Sequence, residues 1–485
     1  MRFAGPCFLL LCCCLGAFHC TKDVGRRTPE VSEHNFPPAV AGIFLNKCAT
    51  SGCHNNTSYL AAGRLNLSSW EKLFEGKSSG AVVIPFRPDH STLMYSINSF
   101  DEFGTLRLQP QMPLNAPALS REETRTIYEW IRAGAAAADG HVAFEPLTGR
   151  KMIYVANQGC DLVTVFDGSS MLAMRYVDVG ETRNLEAPNM ISVAPDNRHW
   201  YVSLLAGGFF QKFSTTDNTL EGRVNLGFGA WSSFVISSDS KKAFVADHSA
   251  NGKIAVVDLE EMSAVVYPGF SYPHGLALSS NNRFLYAGAQ HGNYIYRINA
   301  DDPSLFTKVV IDESNSPYDE AETRPYDIVF TPDGAKYFVS CEGTNELRVF
   351  EAAADTLIAV LPVGKFPQKM ALSASTPYLF VSCLHEPGEQ SQQQSMISVV
   401  NYQNNAVVKS VYAGFQSHGL AVDDQYGRVY VTNRNISSEG PPPHHSGFCD
   451  GRNGYVTAID LKTLELVPNF SAEVSVDPFS AAATH

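Results

Sequence analysis

Two cysteines and a histidine, in the run Cys48-Ala49-Thr50-Ser51-Gly52-Cys53-His54, have the types and spacing to do chemistry. Two nearby thiols can add across the two vinyl groups of a haem, and a histidine directly after the second thiol can bind iron on one face. The usual spacing is C-x-x-C-H. Here the interval between the cysteines is two residues longer, and Gly52 eases the turn into Cys53. The alternative is a local disulfide between Cys48 and Cys53 beside an incidental His54. Downstream, Met112 in Gln111-Met112-Pro113 offers a soft thioether to the opposite iron face. Met94 competes for that role, but it lies in Ser91-Thr92-Leu93-Met94-Tyr95, which reads as a helical turn and points to core packing. These residues predict one covalent haem c on Cys48 and Cys53, with His54 and Met112 as axial ligands.

A second group of candidates lies further along. His274, in Tyr272-Pro273-His274-Gly275, and His418, in Ser417-His418-Gly419, recur at the start of equivalent repeat segments. Asn189, Tyr326 and Gln368 fill that position in other repeats, while His248, His291, Glu342, His385 and Arg434 fall in loops after the following strands. Neutral imidazole is a common ligand for copper, zinc and iron, so these histidines could hold an additional metal or a ligand. No H-x-x-H or H-x-H pair supplies ligand spacing, and the plainer reading is histidines that are solvated or bonded to a neighbouring element.

Two kinds of element must position these groups. Ser120 with Glu123 forms a capping box, and Thr124, Ile127, Ile131 and Ala135 follow at helical spacing, which predicts an apolar helix after Met112. From Met152 onward one phrase recurs, a short aliphatic-aromatic strand: Ile153–Asn157, Trp200–Ser203, Ala243–Asp247, Phe284–Ala287, Tyr337–Ser340, Leu379–Ser382 and Val429–Asn433. Seven such phrases at ~40–50-residue spacing predict seven four-stranded blades. The first repeat lacks its innermost strand, and Val474–Ala482 is the candidate to fill that gap. The fold expected is therefore multidomain: a small all-α domain over 36–138, a linker over 139–150, and an all-β seven-bladed propeller over 151–485.

The composition is globular, with 44% hydrophobic and 18% charged residues. A net charge of −13 without a basic cluster argues against a nucleic-acid partner. Met1-Arg2 followed by the uncharged run Cys7–Phe18 reads as an export signal over residues 1–20, too short for a permanent span. Cys20 before Thr21-Lys22-Asp23 is a candidate lipid-bearing cysteine, imperfect because Phe18 and His19 stand where small residues are expected; residues 21–35 read as a tether. The localisation expected is periplasmic or cell-surface, with a lipid anchor through Cys20 as one option. In an oxidising compartment Cys160 and Cys449, in equivalent loops of the first and last repeats, are candidates for a disulfide, whereas Cys341 and Cys383 read as small buried residues.

Two resemblances add to this. Cys48–His54, Gly63–Leu67, Val83–Pro85, Ser91–Leu93, Gln111–Pro113 and Trp130–Ala135 together resemble the c-type cytochrome domains of Bacteroidetes and Planctomycetes surface proteins over residues 36–138. That resemblance implies one haem c with His54 proximal and Met112 distal. Val429-Tyr430-Val431-Thr432-Asn433 and its repeats resemble the YVTN propeller family over about residues 150–485, specific for fold and weak for function. Electron transfer to a redox partner protein or a small-molecule substrate is the first functional expectation. Alternatives are an oxidoreductase with its active site on the propeller face, by analogy with dihaem nitrite reductases, and a non-enzymatic surface-binding module. The nitrite-reductase analogy is weakened because those have eight blades and a second haem. Lactone hydrolysis rests on fold analogy alone, with no acid–base pair to support it.

Overall fold

A computed structural model of the chain describes residues 33–312, 322–384, 394–443, 449 and 451–485. The export signal, Cys20 and most of the tether lie outside the described residues, as does His385. Among the described residues no helix is long and apolar enough to cross a membrane.

Seven antiparallel sheets account for residues 152–483, six of four strands and the last of five, each ordered from an innermost to an outermost position. The seven recurring phrases are the second strands of the seven blades. A second strand has a neighbouring blade on each face, so it reads as a run of apolar residues with no alternation. Met152–Asn157 is buried at every position. The outermost strand meets solvent, and Ser263–Phe270 and Thr356–Pro362 are largely exposed. Large aromatic residues fill the spaces between strands, as where Trp200 stacks on Phe213 with ring centroids 4.0 Å apart.

The ring closes as the missing strand required. Pro478–Ala483 pairs antiparallel with Met152–Asn157 and becomes the innermost strand of blade one, while Ala472–Val476 stays with Asn453–Asp460 in blade seven. Thr484 reinforces the seam: its hydroxyl accepts from the Met152 amide and its own amide donates to the Met152 carbonyl, both at 3.0 Å. Cys160 and Cys449 form a disulfide with Cα atoms 5.5 Å apart, joining blade one to the insertion in blade seven. Cys341 and Cys383 are buried free thiols.

The expectation of a small, separate all-α domain before the propeller is corrected by the structure. Residues 33–144 hold four short helices: α1 (Pro38–Ile43), α2 (Trp70–Leu73), α3 (Thr92–Ile97) and α4 (Arg121–Arg132). Only α4, with 12 residues and the expected capping box, is longer than two turns. The Asn-, Ser- and Gly-rich stretch 49–69 and the stretch with Pro110, Pro113 and Pro117 favour turns, and proline lacks the amide that a helix interior needs. Nor does this region stand apart. Ile84 packs into the core shared by blades one and seven, and His90 stacks on Tyr176 at 4.6 Å. Arg87 donates to the Tyr176 carbonyl and pairs with Asp178, while Glu145 pairs with Arg175. Short helices and irregular backbone rest on the outermost strand of blade one, Ala173–Asp178, and on Ala472–Val476.

The disulfide closes a loop of sequence separation 289. Replacing both partners, Cys160→Ser with Cys449→Ser, is expected to lower unfolding free energy by ~2–5 kcal/mol. Guanidinium unfolding without reductant reads this, and wild type measured with a strong reductant should fall to the level of the double variant.

Candidate functional site

Cys48 ends a π-helical turn, Phe44–Cys48, that continues α1. The six residues after it fold back: the Cys53 amide donates to the Thr50 carbonyl at 3.0 Å, and the His54 amide donates to the Cys48 carbonyl at 3.1 Å. Both thiols are free, so the disulfide alternative is not what the structure contains. Burial pushes the Cys48 thiol up to about 12, while Cys53 is half-buried.

His54 is oriented by its surroundings. Its Nδ1 lies 3.1 Å from the Leu65 carbonyl. A carbonyl only accepts, so Nδ1 carries the proton and Nε2 keeps its lone pair. Burial holds this imidazole below its ordinary value, and the Leu65 carbonyl partly opposes that. The adjacent Leu67 amide donates to the His54 carbonyl at 2.8 Å, and the Asn55 side-chain oxygen accepts from the Thr57 and Ser58 amides. Sequence reading missed Asn55 and the Leu65 carbonyl; an Asn immediately after the motif histidine was the available signal for a turn.

Met112 is half-buried against the same core that contains Cys48. Its amide donates to the Ser96 carbonyl at 2.8 Å, and the Gln111 side chain donates to the Asn98 carbonyl at 2.7 Å. Met94 is buried in that core, on α3, as core packing requires.

The propeller supplies a second constellation, built by one backbone device used seven times. The amide following each second strand donates to the carbonyl of the residue just before an innermost strand, at 2.8–3.1 Å in all seven blades. That preceding residue has positive φ in six of them: Asp477, Ala187, Tyr272, Arg324, Phe366 and Gln416. In all seven, the ladder between innermost and second strand shifts register within the first few residues. A bulge of this kind re-aims a side chain. The second residue of each innermost strand is thereby turned toward the axis, giving a ring of Phe479, Asn189, Ser232, His274, Tyr326, Gln368 and His418. In five blades the strand opens with proline, as in Arg324-Pro325-Tyr326 and Phe366-Pro367-Gln368. This X-Pro step was the legible signal for Phe479, which sequence reading left out; Ser232 follows Trp231 and carried none.

His274 and His418 take the same anchor. His274 Nδ1 meets the Tyr326 carbonyl at 2.8 Å, and His418 Nδ1 meets the Phe479 carbonyl at 2.7 Å. Each carbonyl belongs to the next blade's ring residue. The glycine after each histidine permits this approach: a Cβ on Gly275 would lie 2.3 Å from the Tyr326 carbonyl oxygen, and one on Gly419 would lie 2.6 Å from the Ser480 Cα. Both imidazoles therefore carry the proton on Nδ1. The His418 Nε2 accepts from the Tyr326 hydroxyl at 3.1 Å, a contact from blade five to blade seven. The His274 Nε2 has no partner among the described residues.

Around the ring, Lys369 lies 5.8 Å from the Tyr326 ring centroid and 3.5 Å from Asp327. Arg434 lies 4.8 Å from the Phe479 ring and pairs with Asp477 at 2.6 and 2.8 Å. The His248 ring is 5.1 Å from His274 and 6.5 Å from the exposed His291, whose ring lies tilted 4.0 Å from Tyr272. His274 and His418 thus flank Tyr326 at 4.2 and 6.2 Å between ring centroids, and His248 stands between His274 and His291. Among the described residues no three His, Cys, Asp or Glu side chains are placed to hold a metal ion.

The molecule is a seven-bladed β-propeller whose bulged innermost strands set a mostly polar ring around its axis, with a helix-poor N-terminal region against its side. No protein-family model matches the chain, and no curated protein does. Among solved structures it is similar to a protein of unknown function from Desulfotomaculum acetoxidans, with TM-score 0.53 and 15% identity over 69% of this chain and 99% of that one. It is also similar to the periplasmic gluconolactonase of Pseudomonas aeruginosa, with TM-score 0.52 and 16% identity over 69% and 99%. At these identities the likeness shows the fold alone.

Burial, then the charge of Lys369, holds His274 well below its ordinary value; burial, then Arg434, does the same to His418. The folded chain keeps both neutral, and the unfolded chain protonates them below about pH 6.5. The unfolded state then binds more protons, so the contribution is present above that pH and is lost as pH falls. Denaturant midpoints at pH 7 and pH 5 should therefore diverge less in His274→Gln and His418→Gln than in wild type. An unchanged difference in both variants contradicts the assignment.

Proposed function

We propose that this chain is an exported c-type haem protein that transfers electrons, with a propeller that binds a small ligand or partner at its channel mouth. The observation that carries the haem reading is the state of His54. Its Nδ1 is fixed on the Leu65 carbonyl and its Nε2 is left as a lone pair, next in sequence to a free thiol and with a second free thiol five residues earlier. Metal-bound histidines are commonly oriented in this way, by a carbonyl on the other ring nitrogen. The donor set fits a haem that Cys48 and Cys53 would hold through thioethers and whose iron His54 and Met112 would ligate. Bound there, the haem supplies a one-electron iron couple whose potential the thioether of Met112 would raise. The chain's part is to hold the imidazole, through Leu65, and to hold the methionine segment, through Ser96 and Gln111.

Export is supported by the Cys160–Cys449 disulfide, which persists in an oxidising compartment, and by the leader-like residues 1–20. A periplasmic or cell-surface location follows, with lipidation at Cys20 as one route to the membrane.

Protein produced with haem-maturation machinery should keep porphyrin mass after denaturation and show a reduced-minus-oxidised absorption difference. Cys48→Ser with Cys53→Ser should lose the covalent mass. Met112→Ala should keep the mass, lose the methionine–iron absorption and lower the reduction potential. An absent porphyrin mass, or a Cys48–Cys53 disulfide in the mature protein, overturns the reading.

A further inference from the structure

We infer that the channel mouth is a binding site for a neutral polyhydroxylated molecule, a sugar or cyclitol, held through its hydroxyl groups by His274 and Gln368. This rests on reading the mouth as a ligand site and is independent of the haem. The first observation is which atoms lack partners. His274 is 6% exposed and Gln368 8%. Among the described residues the Gln368 Oε1 is buried without a partner, as are the Ser232 Oγ and the His248 Nε2, and no hydrogen bond reaches the His274 Nε2. A buried polar atom without a partner costs roughly 1–3 kcal/mol, which a ligand group of the right polarity recovers. Here the polarity is set. The His274 proton is committed to the Tyr326 carbonyl at 2.8 Å, so Nε2 can only accept; an amide oxygen also only accepts. Two acceptors, beside the Ser232 hydroxyl and the Gln368 amide group that can donate, match a ligand whose O–H groups both give and take hydrogen bonds.

The second observation is charge. The cations that lie over ring side chains are already neutralised, Lys369 by Asp327 and Arg434 by Asp477. The two ring imidazoles are neutral because burial disfavours their charged form. An anionic ligand would therefore displace a carboxylate rather than meet a waiting cation, and its charge would face the acceptor lone pairs. The third observation is the wall. The Phe479 and Tyr326 rings flank His418, at 3.8 and 6.2 Å between centroids, so the wall beside it is aromatic, as in sites that bind the C–H face of a sugar.

The test uses the full chain and two panels: D-glucose, D-galactose and myo-inositol, and the anions D-gluconate and glucose 6-phosphate. Saturation-transfer NMR and isothermal titration read binding. Saturable binding of at least one neutral member is expected. His274→Phe should weaken it at least tenfold, and so should Gln368→Met, which leaves the neighbouring blade contact intact; unfolding curves confirm that each variant folds. The Cys48→Ser, Cys53→Ser chain should bind as wild type does, which separates this inference from the haem. Tighter binding of the anions, or neutral binding indifferent to both substitutions, overturns the ligand class alone. No binding from either panel overturns the mouth as a site for such ligands and leaves the haem reading standing.

Discussion

The hydrogen bond from the amide after each second strand to the carbonyl before each innermost strand governs the face of this propeller. It holds the carbonyl-bearing residue in a conformation that side chains rarely adopt, and six of the seven are residues other than glycine at positive φ. That conformation costs on the order of 1 kcal/mol or more per residue, and it persists because the bond and the flanking strands over-determine it. Its effect is to break strand register next door and to turn one side chain per blade toward the axis. Without it, the second residue of each innermost strand would lie on a sheet face between blades.

The same device explains why histidine works in two positions and not as an isolated choice. A bulged histidine followed by glycine can lay its Nδ1 on the next blade's carbonyl, because the missing Cβ lets the backbones approach. The anchor makes each ring a fixed acceptor instead of a rotating one. Where the neighbour's side chain returns a donor, as Tyr326 does to His418, the pair is satisfied internally. Where none does, as at His274, the lone pair is left to the channel. Equivalent sequence positions thus have different chemical standing because of what stands two blades away.

Much of the propeller was legible in the sequence, because second strands buried on both faces must be apolar without alternation and because the phrase recurs seven times. The missing first strand pointed to closure by Val474–Ala482, of which the part from Pro478 onward forms the closing strand while Ala472–Val476 joins blade seven, and the loops of Cys160 and Cys449 made the disulfide readable. The N-terminal region was misread as a separate all-α unit. Its helix-like motifs, Ser91–Tyr95 and Ser120–Ala135, are real helices, yet the polar and proline-rich chain between them has no periodicity that shows where it packs. Its contacts with blade one, through Arg87, His90 and Glu145, depend on partners 86 or more residues away for the first two and 30 for the third, which no local pattern reveals. The site was half legible. Histidine and tyrosine at repeat starts could be seen, but which lone pairs stay free is decided across the ring.

The Cys160–Cys449 link has a consequence for how the molecule comes apart. The covalent circuit runs through blades two to six and returns at the seam, so fraying of Pro478–Ala483 from Met152–Asn157 leaves the toroid still chained shut. Detachment of that strand becomes a local excursion with little gained freedom, not the first step of an unrolling. Breathing at the seam is therefore open to the folded protein, and with it a brief retreat of Phe479 from the axis, at no risk to the other blades.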